Sequence, residues 1–123
     1  MTIKIAQQNL QHCKPATLIF IQHMEEHDIN MAMVQEPYTT NNKIPGIPTG
    51  WKQIISKTNR AAIIIRTTAI PITQVSIAED LVTISTPIED NNMLLTSLYS
   101  SPSEEISTQL NDYEKAAQKH LYK

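Results

Sequence analysis

Glycine is nearly missing: the 123 residues hold only Gly46 and Gly50, both in one stretch. Loops that cradle phosphates, of the dinucleotide or P-loop kind, need glycines at fixed spacings, so both are excluded. The single cysteine, Cys13, cannot form an internal disulfide, and the N-terminus lacks the charged region, apolar core and small-residue cleavage site of a secretory signal. A reducing intracellular location, nuclear or cytoplasmic, is the expectation. No apolar run approaches the ~20 residues that span a bilayer, so no membrane partner is expected. Positive charge is not in excess either, with 10 Lys and Arg against 12 Asp and Glu. Bulk attraction to nucleic acid is thereby excluded, and any DNA contact must be local or supplied by a segment outside the chain.

What is present is an ordinary globular composition, 41% hydrophobic and 18% charged, in a length that allows one domain at most. Residues 2–9 alternate Ile3 and Ile5 with Lys4 and Ala6, which reads as a strand. Pro15, acceptable in a first helical turn, opens a helix over about 15–27 with Ala16, Ile19, Phe20, Met24 and His27 along one face. The next apolar run, 29–35, is too short for a typical helix and reads as a second strand. Strand, helix, strand makes a crossover unit. Residues 37–51 carry three prolines and both glycines, which is loop chemistry. Short β-rich runs follow at 51–56, 61–66, 70–77, 81–86 and 93–99, separated by turn-like residues, and predict an antiparallel meander. Ser101-Pro102-Ser103-Glu104 offers an N-cap, a first-turn proline and a following carboxylate. Ile106, Leu110, Tyr113, Ala117 and Leu121 continue it as the apolar seam of a closing helix.

Gln35-Glu36-Pro37-Tyr38 is the most informative stretch. It sets a carboxylate where an apolar strand runs out, before a proline that cannot continue a ladder. Ligand crevices of open α/β sheets lie beyond the carboxyl ends of strands, so Glu36 is placed like a site residue. Asn9 ends the first strand in the same way, and the two are expected at one rim.

Asn9, the Gln35-Glu36-Pro37-Tyr38 stretch, Arg60-Ala61-Ala62-Ile63-Ile64-Ile65 and Leu98-Tyr99-Ser100-Ser101-Pro102 together resemble the endonuclease/exonuclease/phosphatase superfamily. The likeness is to the N-terminal half of the apurinic-type endonuclease domains that open arthropod non-LTR retrotransposon polyproteins, and it covers essentially the whole chain. The resemblance implies phosphodiester hydrolysis with a divalent metal, commonly Mg²⁺ and also Mn²⁺, in the service of target-DNA nicking for retrotransposition. Glu36 carries over as the metal ligand, and magnesium needs only one or two carboxylates because it keeps several waters. Asn9 carries over as a neutral amide beside the metal or the scissile phosphate. Tyr99 carries over as a hydroxyl that supports the phosphate as charge builds there.

The family completes its site with an aspartate/asparagine pair on a later strand and an aspartate/histidine pair near its C-terminus. Neither pair occurs after Tyr99. Asp28-Ile29-Asn30 has the right letters, but it enters the second strand at the end opposite Glu36. One metal ligand without a general base or a water-orienting acid cannot run an in-line displacement at useful rate. The expectation is therefore a truncated, inactive endonuclease domain, residues 1–123 forming one half. Its partners would be DNA, the missing C-terminal half and the reverse transcriptase of a full polyprotein. Its fold would be α/β, half of a two-sheet sandwich with a mixed sheet, a βαβ unit, an antiparallel meander and a C-terminal helix. The alternative is a non-catalytic retrotransposon remnant or interaction protein that self-associates through an unpaired sheet. On that account Ile63, Ile65, Val82, Ile84, Leu94 or Leu98 would face water, a patch large enough to drive association.

A rival motif, His23-Met24-Glu25-Glu26-His27, matches the pattern of inverted zinc peptidases. It falls at the end of a short helix, where histidines favour the helix dipole, and a boundary histidine pair is the plainer reading. Lys52, Lys57, Arg60 and Arg66 punctuate the first hairpin and could touch DNA phosphates, although a solvated face of an antiparallel pair looks the same. Cys13 has no nearby base and reads as structural.

Overall fold

The computed structural model describes residues 3–66, 71–88 and 91–100. Its elements are β1 (Ile5–Asn9), α1 (Lys14–Glu26), β2 (Met31–Gln35), β3 (Lys52–Ile55), β4 (Ala61–Ile65), β5 (Gln74–Ile77), β6 (Leu81–Ile88) and β7 (Asn91–Leu98). The expected closing helix lies outside the described residues. β1 and β2 pair in parallel across the α1 crossover, β4 returns antiparallel beside β2, and β3 forms the far edge, giving a mixed sheet β1-β2-β4-β3. A separate antiparallel sheet runs β5-β6-β7.

Period-two alternation builds three layers from this order. Ala32 and Val34 of β2, with Ala62 and Ile64 of β4, face α1 and pack with Phe20, Ile21 and Met24. Met31 of β2, with Ile63 and Ile65 of β4, points the other way and packs with Val82, Ile84 and Leu95 of the second sheet. β4 is buried along its whole length, as an all-apolar strand covered on both faces must be. Each large aliphatic side chain so buried contributes about 1.5–3 kcal/mol.

The fold class stands, but the expected exposed sheet face is corrected. Ile63, Val82 and Ile84 are 0% exposed and Ile65 is 1%. The reason is topological: β5, β6 and β7 pair with one another rather than on the open edge of β3, and the sheet they form packs Val82, Ile84 and Leu95 onto the inner face of the first. Among the described residues, the large exposed apolar side chains sit on α1 and in edge strands: Ile5, Leu18, Ile19, Val75 and Ile77. The basis for self-association through a broad apolar sheet is removed.

The helix face also shifts. Thr17, Phe20, Ile21 and Met24 are buried, whereas Ile19 is 65% exposed and His27 is the exposed C-cap residue. Thr17 goes inside because its hydroxyl has partners there: it donates to the Cys13 carbonyl at 2.9 Å and accepts the Tyr38 N–H at 3.1 Å. The long loop then folds onto the helix at Gly46, whose φ of +84° suits glycine and where a Cβ would meet Leu18 Cδ2 at 2.6 Å.

Candidate active site

The parallel register sets Asn9 directly beside Gln35, so Asn9 and Glu36 occupy neighbouring strand ends. Glu36 takes a left-handed φ of 50°, unusual for a non-glycine residue and more so before a proline. Two backbone bonds hold it there: its N–H donates to the Arg60 carbonyl at 2.8 Å, and its own carbonyl accepts the His12 N–H at 2.7 Å. Strain of this kind costs of order 1–3 kcal/mol and persists only where the surroundings enforce it. The Asn9 side chain has a local task, its Oδ1 accepting the Gln11 N–H at 2.9 Å to shape the turn.

Tyr99 reaches this rim from the other sheet. Its N–H donates to the Asp80 carbonyl at 2.9 Å. The phenol is pushed above its ordinary ionisation range, first by hydrogen bonding toward Glu36, then by desolvation and the Glu36 charge, with the Arg60 charge pulling the other way. Arg60 lies over the Tyr99 ring, 5.1 Å from its centroid. Its guanidinium forks onto Asp80, Nε to Oδ1 at 2.9 Å and Nη2 to Oδ2 at 3.1 Å. The Asp80 side chain is only 7% exposed, against 32% for Arg60. The Thr58 hydroxyl sits against the same carboxylate.

Sequence reasoning brought Asn9, Glu36 and Tyr99 to one end of the molecule and missed what ties them. Gln35 is buried; its Oε1 accepts from Gln7 Nε2 at 2.6 Å and its Nε2 donates to Ser97 Oγ at 3.1 Å. Ser97 in turn donates to the Val34 carbonyl at 2.8 Å, so a buried polar chain joins the sheets just inside the rim. The only signal for it was a Gln standing in an otherwise apolar strand.

The basic residues do not form one patch. Lys52 lies opposite Ile65 and Arg66 donates to the Ile29 carbonyl, both at the far end from Glu36, while Lys57 and Arg60 are at the near end. The His23 and His27 rings lie 4.3 Å apart, tilted by 45°, on an exposed helix end, and among the described residues no three His, Cys, Asp or Glu converge to hold a metal. The site's oxygen donors, one anchored carboxylate and an adjacent amide, suit a hard cation that keeps most of its water. No helix among the described residues is long and apolar enough to cross a membrane.

No protein-family model matches the sequence, and no curated protein matches it significantly. The fold is shared with solved structures. One is the endonuclease domain of TRAS1, a telomere-specific non-LTR retrotransposon, with a TM-score of 0.80 at 22% identity over 95% of this chain and 54% of that one. Another is an endonuclease/exonuclease/phosphatase family protein from Leptotrichia buccalis C-1013-b, with a TM-score of 0.55 at 18% identity over 89% and 61%. The chain spans about half the length of the first. Its mixed sheet and antiparallel sheet together share the fold of the matching part of that domain.

Proposed function

We propose that the chain forms the N-terminal part of a divalent-metal-dependent DNA endonuclease domain of the retrotransposon type. The observation that carries this reading is the convergence of Asn9, Glu36 and Tyr99 at one strand end, Tyr99 being joined to Glu36 through Arg60, in a fold shared with the TRAS1 endonuclease domain. Glu36 is the residue that would hold Mg²⁺ or Mn²⁺. Asn9 Oδ1, with one lone pair engaged by Gln11, keeps a second for a water of that ion. A bound ion supplies Lewis-acid polarisation of a phosphoryl oxygen and a more acidic water. Tyr99 stands where its hydroxyl can turn from Glu36 to a phosphate oxygen and support the charge that develops there.

Proton removal from the attacking water has no assigned group, because no Asp-x-Asn stretch and no aspartate next to a histidine follows Tyr99 in the sequence. We therefore assign those roles to the remainder of the domain, which together with DNA and a reverse transcriptase would be the chain's partners. A groove of about 580 Å³ beside β1 and α1, lined by Gln7, Asn9, Ile19 and His23 among others, adjoins the edge where that remainder would pack.

Mn²⁺ binding followed by electron paramagnetic resonance tests the site. Glu36→Gln is expected to weaken binding by about tenfold or more, the scale of losing a key group at a metal site. Asp28→Asn, at the opposite strand end, should change nothing. The chain alone is expected not to nick supercoiled plasmid with Mg²⁺ or Mn²⁺. Equal Mn²⁺ binding by wild type and Glu36→Gln would overturn the assignment of the site, and nicking that disappears in Glu36→Gln would overturn the inactivity.

A further inference from the structure

Arg60 adjoins Glu36. Its carbonyl accepts the Glu36 N–H, and its guanidinium covers the Tyr99 ring, 5.1 Å from the centroid. A guanidinium carried by the residue beside a half-buried carboxylate favours pairing with it, through short, charge-assisted bonds. A Glu36 paired in that way would have its oxygens occupied and its charge offset, and would be a poor ligand for a metal ion. The fork instead points to Asp80, both of whose carboxylate oxygens it takes.

Asp80 is unusually well fixed for a residue in a turn. It is 5% exposed, its carbonyl accepts the Tyr99 N–H, and the Thr58 hydroxyl reaches its carboxylate. The turn that carries Thr58 is bonded to the turn that carries Asp80, Lys57 N–H to the Ala78 carbonyl and Thr58 N–H to the Glu79 carbonyl, each at 3.0 Å. A continuous chain of bonds results: Glu36 to Arg60 through the backbone, Arg60 to Asp80 through the ion pair, and Asp80 to Tyr99 through the backbone.

We propose that Asp80 is a positioning residue that captures the Arg60 guanidinium and withholds it from Glu36, keeping that carboxylate available to a hard divalent cation. The proposal rests on the metal-site reading given above, and it adds an electrostatic role to a residue that touches neither metal nor substrate. With Asp80 in place the two partners cancel and the rim keeps the negative charge of Glu36. Without it, Arg60 and Glu36 cancel instead.

The test uses the full chain in EDTA and in Mn²⁺. In EDTA, melting temperatures of wild type, Glu36→Gln, Asp80→Asn and the double variant are compared. Glu36→Gln should lower the melting temperature more in the Asp80→Asn background than in wild type, because only there does Glu36 pair with Arg60. Strictly additive shifts would overturn the proposal whether or not metal binds. In Mn²⁺, Asp80→Asn should weaken binding about tenfold, and adding Arg60→Gln should restore it to within about twofold of wild type. A purely structural Asp80 would leave the double variant as weak as the single one, which would also overturn the proposal. EDTA coupling in a wild type that binds no Mn²⁺ would support the restraint on Arg60 while removing the metal reading. Should Asp80→Asn fail to fold, Arg60→Gln alone decides: undiminished Mn²⁺ affinity supports the proposal and a loss overturns it.

Discussion

The two ends of the central sheet carry nearly the same letters and do different things with them. At one end stand Glu36, Asn9 and Arg60; at the other, Asp28, Asn30 and Arg66. The far set serves the backbone: Asn30 Oδ1 accepts the Lys4 N–H at 2.8 Å, and Arg66 Nε donates to the Ile29 carbonyl at 2.9 Å. Its ion pair is loose, Arg66 to Asp28 at 3.7 Å with the aspartate side chain 78% exposed. The near set instead meets a second sheet, which delivers Tyr99 and the buried Asp80 to the same point. An acid, an amide and an arginine at a strand end are therefore not yet a site. Convergence from two layers, with enough burial to hold the geometry, sets the near end apart.

The comparison is broken most directly by removing one acid from each end. Asp80→Ala leaves Arg60 without its bidentate partner and a buried cavity lined by Thr58 and backbone carbonyls. Breaking a fully buried pair costs about 3–5 kcal/mol. The guanidinium here is about a third exposed, so roughly 2–3 kcal/mol is expected after screening. Asp28→Asn, which keeps a residue type that tolerates the φ of 53° there, should cost less than about 0.5 kcal/mol, because solvent already screens that pair. Urea denaturation of both variants measures the contrast, and equal losses would mean that the two ends are held alike.

Legibility in the sequence follows the same division. Asn9 and Glu36 could be placed because each ends a strand recognisable by its own pattern, and adjacency follows from a short crossover. Tyr99 was reached through resemblance. Asp80 could not be read: Ala78-Glu79-Asp80 looks like a solvated turn, and its burial comes from docking against a turn some twenty residues earlier in the chain. Ser97 looked like the polar phase of a strand, and only the identity of the sheet that β7 joins puts it inside. The division into two sheets did leave a trace. Ala61–Ile65 has no polar alternation, the mark of a strand covered on both faces, and Pro71 stands in the connection to β5. Reading Ile19 as inward set the helix phase wrongly, since a threonine with two buried partners took the inner position that an aliphatic residue was expected to fill.

The amides sharpen the contrast by a smaller amount. Gln35→Ala deletes the group that joins Gln7 to Ser97 and leaves the Ser97 hydroxyl without its donor in a buried place. A loss of about 1–2 kcal/mol is expected. Asn30→Ala removes one bond to an exposed N–H that water can replace, and should cost under about 1 kcal/mol. A Gln35→Ala variant as stable as wild type would mean that the buried polar chain does not help hold the two sheets together at the rim.

The smallest effect is read in the ionisation of Tyr99. Its raised pKa means that the protonated phenol is favoured in the folded chain, chiefly because it donates to Glu36. For a group raised in this direction, the associated stability is fully present below the ordinary tyrosine value of about 10 and is lost as pH rises through the folded value. At neutral pH the bond is therefore intact, and the rim should loosen only in strong alkali. The difference in phenolate absorbance between wild type and Tyr99→Phe isolates this one tyrosine from the other three. Its midpoint should lie above the ordinary value and move down in Glu36→Gln, where the acceptor is weaker and the neighbouring negative charge is gone. A midpoint that ignores Glu36→Gln would separate Tyr99 from Glu36 and return this end of the sheet to the level of the other.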